Sequence, residues 1–200
     1  MSYSQFKTIS SAKTAFNLTV IEGDRFLPEI KAIEPSPILS GYLQDSLPIV
    51  ATSGSEKARS EGIIYPMLLE VRRHLNRQVS LFSGEEFNVD ESVGLNGICD
   101  FLLTRSTEVL EIEAPVVVVV EAKKTELKTG FGQCIVEMVA AQRFNEAQEN
   151  SIRTIYGSVS NGIQWQFLSL VQSTLTIDLN VYPLPPVAQI LGHLVWMAQS

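Results

Sequence analysis

Hydrophobic patterning is densest at Val116-Val117-Val118-Val119-Val120, five successive β-branched residues that suit a strand covered on both faces. This run ends in Glu121-Ala122-Lys123-Lys124, and because side chains alternate along a strand, Glu121 and Lys123 are expected to project together from its polar end. Two earlier strand-like runs, 79–89 and 97–104, are separated by the turn-rich segment 90–94 and form a meander leading into the valine strand. Residues 130–148 read as a helix rich in Ala, Gln, Glu and Met. Strands at 154–159 and 165–170 follow around Ser160-Asn161-Gly162, with a third at 175–181. After Pro183, Pro185 and Pro186, the positions Val187, Ile190, Leu191, Leu194 and Val195 mark one face of a last helix.

Upstream of the meander, Ile64, Leu68, Val71 and Leu75 recur at helical spacing, and Thr52-Ser53-Gly54-Ser55 offers an N-cap. Pro66 is an objection to one uninterrupted helix and favours a start nearer Tyr65. Residues 1–50 hold short apolar runs at 16–21, 26–30 and 37–43, punctuated by Pro28, Pro35, Pro37 and Pro48. An N-terminal extension of short strands or turns is therefore expected, ahead of a core at 55–182 and a C-terminal helix at 186–198, all in one domain.

Composition narrows the function classes. A formal charge of −7 is incompatible with a uniformly basic surface, so any nucleic-acid site must be a local patch. Cys99 and Cys134 lie in apolar runs without metal-ligand spacing and read as buried free thiols. The start of the chain lacks a signal-peptide core, and no run approaches the roughly 20 apolar residues of a membrane helix. A soluble cytoplasmic protein is expected.

The candidate chemistry gathers around the valine strand. Asp100 intrudes into the apolar strand Gly97-Ile98-Cys99-Asp100-Phe101-Leu102, and a hairpin can bring it beside Glu121. Two adjacent buried carboxylates repel, so a sheet that pairs them commonly holds a cation, and oxygen ligands favour Mg²⁺ or Mn²⁺. A lysine beside such an ion could orient or deprotonate a water, or neutralise charge on a phosphoryl group under attack. Phosphodiester hydrolysis is the reaction these types of residue suit.

Asp100 followed by Glu121-Ala122-Lys123 at the end of a hydrophobic strand resembles the core of the PD-(D/E)XK nuclease superfamily. Gln133, in Gln133-Cys134-Ile135-Val136-Glu137-Met138, is similar to the glutamine many members carry on the following helix, and Glu61 resembles their upstream helix acid. The run Val159-Ser160-Asn161-Gly162-Ile163-Gln164-Trp165 is similar to the strand-turn-strand that often closes the core. The resemblance spans about residues 58–170, with Cys99 where many members have proline.

It implies a restriction-endonuclease-like α/β/α fold with a mixed central sheet. It further implies Asp100, Glu121, Lys123 and Gln133 as catalytic residues, and Glu61, Asp100, Glu121 and Ala122 around Mg²⁺ or Mn²⁺. The implied partner is nucleic acid, DNA first, and a homodimer is compatible with the family. Glu70, which can pair with Arg73 at i, i+3, and Glu56, which can sit in the first helical turn, are alternatives to Glu61, and Glu137 is an alternative to Gln133. Arg59, Arg72, Arg73, Arg77, Lys123, Lys124, Lys128, Arg143 and Arg153 are the candidates for a backbone-binding patch. Rival expectations are a nuclease-fold binding or regulatory module with reduced catalysis, and an interaction protein that self-associates through the last helix.

Overall fold

A computed structural model of the chain describes residues 2–23, 27–150 and 152–200. Among these, the strands form one mixed eight-stranded sheet, with the valine strand, β4 (Val116–Ala122), as an interior strand every residue of which is buried. On one side of it run β3 (Ile98–Thr104) and β2 (Ser80–Glu86), both antiparallel to their neighbours. On the other side, β5 (Thr154–Ser160) is parallel to β4, and β6 (Gln164–Val171) and β7 (Thr174–Asp178) continue antiparallel. The path ends at β1 (Thr19–Gly23), parallel to β7, while the short β8 (Tyr182–Pro183) pairs with β6.

A bulge sets which way β4 presents its side chains. Thr104 pairs with Val116 and Leu103 with Val118, so Val117 is the extra residue and the alternation changes phase there. Beyond it, Val118, Val120 and Ala122 belong to an apolar cluster with α2 (Pro37–Thr52), α4 (Tyr65–His74) and α6 (Val187–Gln199). Val119 belongs to the opposite cluster, with α1 (Ile9–Phe16) and α5 (Phe131–Ala147). Alternation then carries Glu121 to the α5 side, inside the protein. Helices thus cover both faces of the sheet, the arrangement a doubly buried valine strand requires.

The N-terminal quarter differs from the expected turns and short strands. It supplies α1, an edge strand of the main sheet, and the 16-residue helix α2. Pro37 occupies the start of α2, where its missing N–H is harmless, and the Ser36 side chain accepts from the Leu39 N–H as N-cap. Leu39, Leu43 and Val50 enter the core cluster. Of the apolar run 26–30, Phe26 lies outside the described residues and Leu27 is buried.

α4 starts at Tyr65, as Pro66 leads one to expect, but the helical path does not stop there. α3 (Glu56–Arg59), capped by Ser55, passes through a π-helical turn (Ser60–Ile64) directly into α4, with Pro66 near the α4 start. The wider turn sends the Tyr65 N–H to the Ser60 carbonyl, freeing the carbonyls of Glu61 and Gly62. Both are met by α2: Tyr42 Oη donates to Glu61 O at 3.2 Å and Ser46 Oγ to Gly62 O at 2.8 Å. α6 is also not the free amphipathic face one rival reading needs. Ile190, Leu191, Leu194, Val195, Met197 and Ala198 are all buried.

Candidate functional site

The C-terminal end of β4 brings three of the expected residues together. Lys123 Nζ lies 2.5 Å from Glu121 Oε1, and the Glu121 side chain is fully buried. Across the β3–β4 ladder, Asp100 Oδ2 accepts the Ala122 N–H at 2.8 Å, fixing its carboxylate beside Glu121. Lys123 N–H donates to the Ser160 carbonyl at 2.7 Å, continuing the β5 pairing past the named strand. Lysine and both acids are therefore mounted on the ladder rather than on a mobile loop.

The helix below adds a fourth group. Gly130 precedes α5 and passes so close to β4 that a Cβ there would stand 3.0 Å from Lys123 Cγ and 3.2 Å from Glu121 Cγ. One turn and a half into α5, the fully buried Glu137 accepts a hydrogen bond from Gln133 Nε2 at 3.0 Å. Gln133 is thus brought into the cluster as the partner of Glu137. Oε2 of Glu121 and Oε2 of Glu137 have no hydrogen-bond partner.

Burial dominates the electrostatics. It drives the Glu121 carboxyl well above the usual range, reinforced by the charges of Glu137 and Asp100 and opposed by Lys123. Glu137 is pushed up to about 8 by its burial, against the Gln133 hydrogen bond. Asp100 is also raised by desolvation, partly offset by the Ala122 N–H and by Lys123. For Lys123, burial works against the charge, but Glu121, Glu56 and Asp100 outweigh it and hold the ammonium above its ordinary value. A neutral-pH Lys123 is therefore a cation and hydrogen-bond donor rather than a base.

Glu61 is not brought to this group. Its side chain points to solvent and pairs with Lys57 at 3.7 Å, one helical turn away. Glu56 is the upstream acid whose charge acts on both Asp100 and Lys123. The segment is tied down by Arg59, whose Nη1 donates to the Asn161 carbonyl at 3.0 Å. Asn161 Nδ2 in turn donates to the Thr125 carbonyl at 2.7 Å, joining the β5–β6 turn to the loop after β4.

The expected basic patch divides. Arg59, Lys123 and Lys124 stay at this end of the sheet, with Lys124 Nζ 3.8 Å from where a Gly54 Cβ would lie. Arg72, Arg73 and Arg77 fall at the far end, where α4 leads into the start of β2, and Arg153 lies there too, ahead of β5. Arg73 is paired with Glu70 at 2.8 Å, and Arg143 with Asp90 at 3.1 Å.

No family model matches this chain, and no curated protein matches its sequence. Whether the site suits a hard cation must come from its own donors. Carboxylate oxygens of Asp100 and Glu121 are of the right type, and the unpartnered Glu121 Oε2 is the kind of buried oxygen a cation satisfies. No three His, Cys, Asp or Glu side chains converge as a metal cage among the described residues. Mg²⁺ commonly takes only one or two carboxylates and completes its shell with water and substrate phosphate, so the pair fits it. Also among the described residues, no helix is long and apolar enough to cross a membrane.

Two of these groups were visible in sequence only as alternatives. Glu137 is flanked by Cys134, Ile135, Val136, Met138, Val139, Ala140 and Ala141, all buried, so α5 has no solvated face at that level to receive it. That continuous apolar surround was the available signal. The choice of Glu56 over Glu61 had no such signal, because the π turn between them breaks the helical phase.

Proposed function

We propose that this protein is a metal-dependent nuclease that hydrolyses phosphodiester bonds of DNA at the C-terminal end of β4, on a restriction-endonuclease-like core. The observation that carries this reading is the Glu121–Lys123 contact, with Asp100 locked beside it through Ala122 and a Glu121 oxygen left without a partner. The mixed sheet with helices on both faces supports the fold assignment.

Asp100 and Glu121 would hold Mg²⁺ or Mn²⁺, which when bound would supply positive charge for a phosphoryl group and lower the pKa of a water. Lys123, kept as an ammonium by its acidic neighbours, gives up its contact with Glu121 Oε1 and donates from Nζ to a phosphoryl oxygen, where charge accumulates in the transition state. Glu137 and Gln133 hold the α5 side of the cluster. Arg59 and Lys124 supply local positive charge for flanking phosphates on a chain whose net charge is negative.

The test is calorimetric titration with Mg²⁺ and Mn²⁺ of the wild type, Glu121→Gln and Lys123→Ala, followed by cleavage assays on duplex and single-stranded DNA. The expected result is metal binding lost in Glu121→Gln but retained in Lys123→Ala, with cleavage reduced by about 10²-fold or more in both. Metal and DNA binding without cleavage by the wild type would replace this reading with the regulatory module. No metal binding would remove the nuclease mechanism.

A further inference from the structure

The outer face of α2 is unlike the rest of this charged surface. Of the 16 residues Pro37–Thr52, Asp45 alone is ionised, while Ile38 and Ile49 are 68% and 69% exposed and Tyr42 46%. Gly41 sits on the same exposed face, where an added Cβ would meet nothing within 4 Å. A glycine inside a helix is about 1 kcal/mol less favourable than alanine. Nothing in its own protomer requires one there, but close approach by another helix would.

The spacing of this face is symmetric. Ile38, Tyr42, Asp45 and Ile49 are separated by four, three and four residues, so reversing the helix about a point between Leu43 and Gln44 superposes the stripe on itself. Beside one end of it lies a groove between the antiparallel α2 and α4, lined by Ile38, Tyr42, Tyr65 and Leu69 and also by the charged Glu61 and Arg73. Tyr65 and Leu69 are themselves 40% and 38% exposed. Ile49 projects from the other end, 69% exposed.

We infer that this face binds a second copy of the chain, with the two α2 helices antiparallel about a twofold axis between Leu43 and Gln44. Each Ile49 then enters the partner's Ile38–Leu69 groove, and Pro48 covers Leu39. Asp45, the one charge on the helix, falls opposite a Tyr42 phenol instead of opposite another carboxylate. A two-helix face about 24 Å long and about 20 Å wide has a footprint of roughly 500 Å² per partner, at the small end of specific interfaces and in keeping with a weak, reversible dimer. The symmetric stripe favours a second copy over an unrelated peptide, because each protomer provides both the projecting residue and its receptor. This assignment is independent of the chemistry at β4.

Sedimentation of the full chain from about 1 to about 200 µM is expected to show a reversible dimer with a micromolar dissociation constant. Ile49→Glu should weaken it at least about tenfold without lowering the unfolding midpoint, since the side chain is exposed in the protomer. Gln44→Cys should be trapped as a covalent dimer by a short bismaleimide, whereas a cysteine at Glu111 should not. The native Cys99 and Cys134 are buried and do not interfere. A monomer at every concentration would give the groove to another occupant and overturn the inference. A dimer indifferent to Ile49→Glu, or not trapped through residue 44, would place the interface elsewhere and overturn it equally.

Discussion

Glu70 and Glu137 are both glutamates buried on helices, yet their surroundings are opposite. Glu70 accepts from Ser36 N at 2.8 Å, Ser36 Oγ at 3.0 Å and Arg73 Nη1 at 2.8 Å, so both of its oxygens are engaged. Glu137 has one hydrogen bond, from Gln133, and an oxygen with none, in company with the equally buried Glu121. A buried carboxylate with charged and amide donors stabilises the fold, whereas one left short of donors destabilises its own ionised form. The α2–α4 junction is built for stability, and the β4–α5 junction retains unfavourable charge that its proposed chemistry uses.

The largest expected effect comes from breaking the satisfied side. Glu70→Ala strands the Ser36 N–H at the start of α2 and releases Arg73. It should lower unfolding free energy by about 3 kcal/mol in urea melts at neutral pH, with DNA cleavage per folded molecule unchanged. A loss under about 0.5 kcal/mol would mean that Glu70 is no better satisfied, in energetic terms, than Glu137.

Glu137→Gln should act in the other direction, and only over part of the pH range. The folded-state value of about 8 lies above the ordinary 4.5, so the protonated form is favoured by folding. That contribution is complete below about pH 4.5 and disappears as pH rises through about 8. The amide keeps the shape without the charge. Wild type and variant should therefore have similar stability near pH 4, and the variant should be more stable by about 2 kcal/mol at pH 9. Parallel stability curves across that range would show that Glu137 is ionised in the fold at no cost.

How much of this was legible follows from whether the deciding contact is local. The β4 strand, its polar end and the Glu121–Lys123 pairing came from residues within a few positions of each other, where alternation is a strict rule. The Glu70–Arg73 pair was legible for the same reason, as an i, i+3 contact. α2 was not, because Pro35, Pro37 and Pro48 signal breaks while the group that anchors its start, Glu70, lies 34 residues away. The basic residues near α4 failed as a patch for a different reason. Arg72, Arg73 and Arg77 are close to the site in sequence but a strand's length from it in space, since β2 starts at the far end of the sheet.

The π turn is where local and non-local information meet, and it offers the finest probe of the stable side. Pro66 removes a donor, the turn widens, and two carbonyls lose their helical partners. Ser46 supplies the better replacement, at 2.8 Å from the buried Gly62 O with its own side chain half-buried, whereas Tyr42 reaches Glu61 O at 3.2 Å from an exposed position. Ser46→Ala should therefore destabilise by about 1 kcal/mol, and Tyr42→Phe by less, in the same urea melts. If Tyr42→Phe is the more damaging, the exposed phenol rather than the half-buried serine holds the turn, and the division between a satisfied interior and an open face on α2 would have to be redrawn.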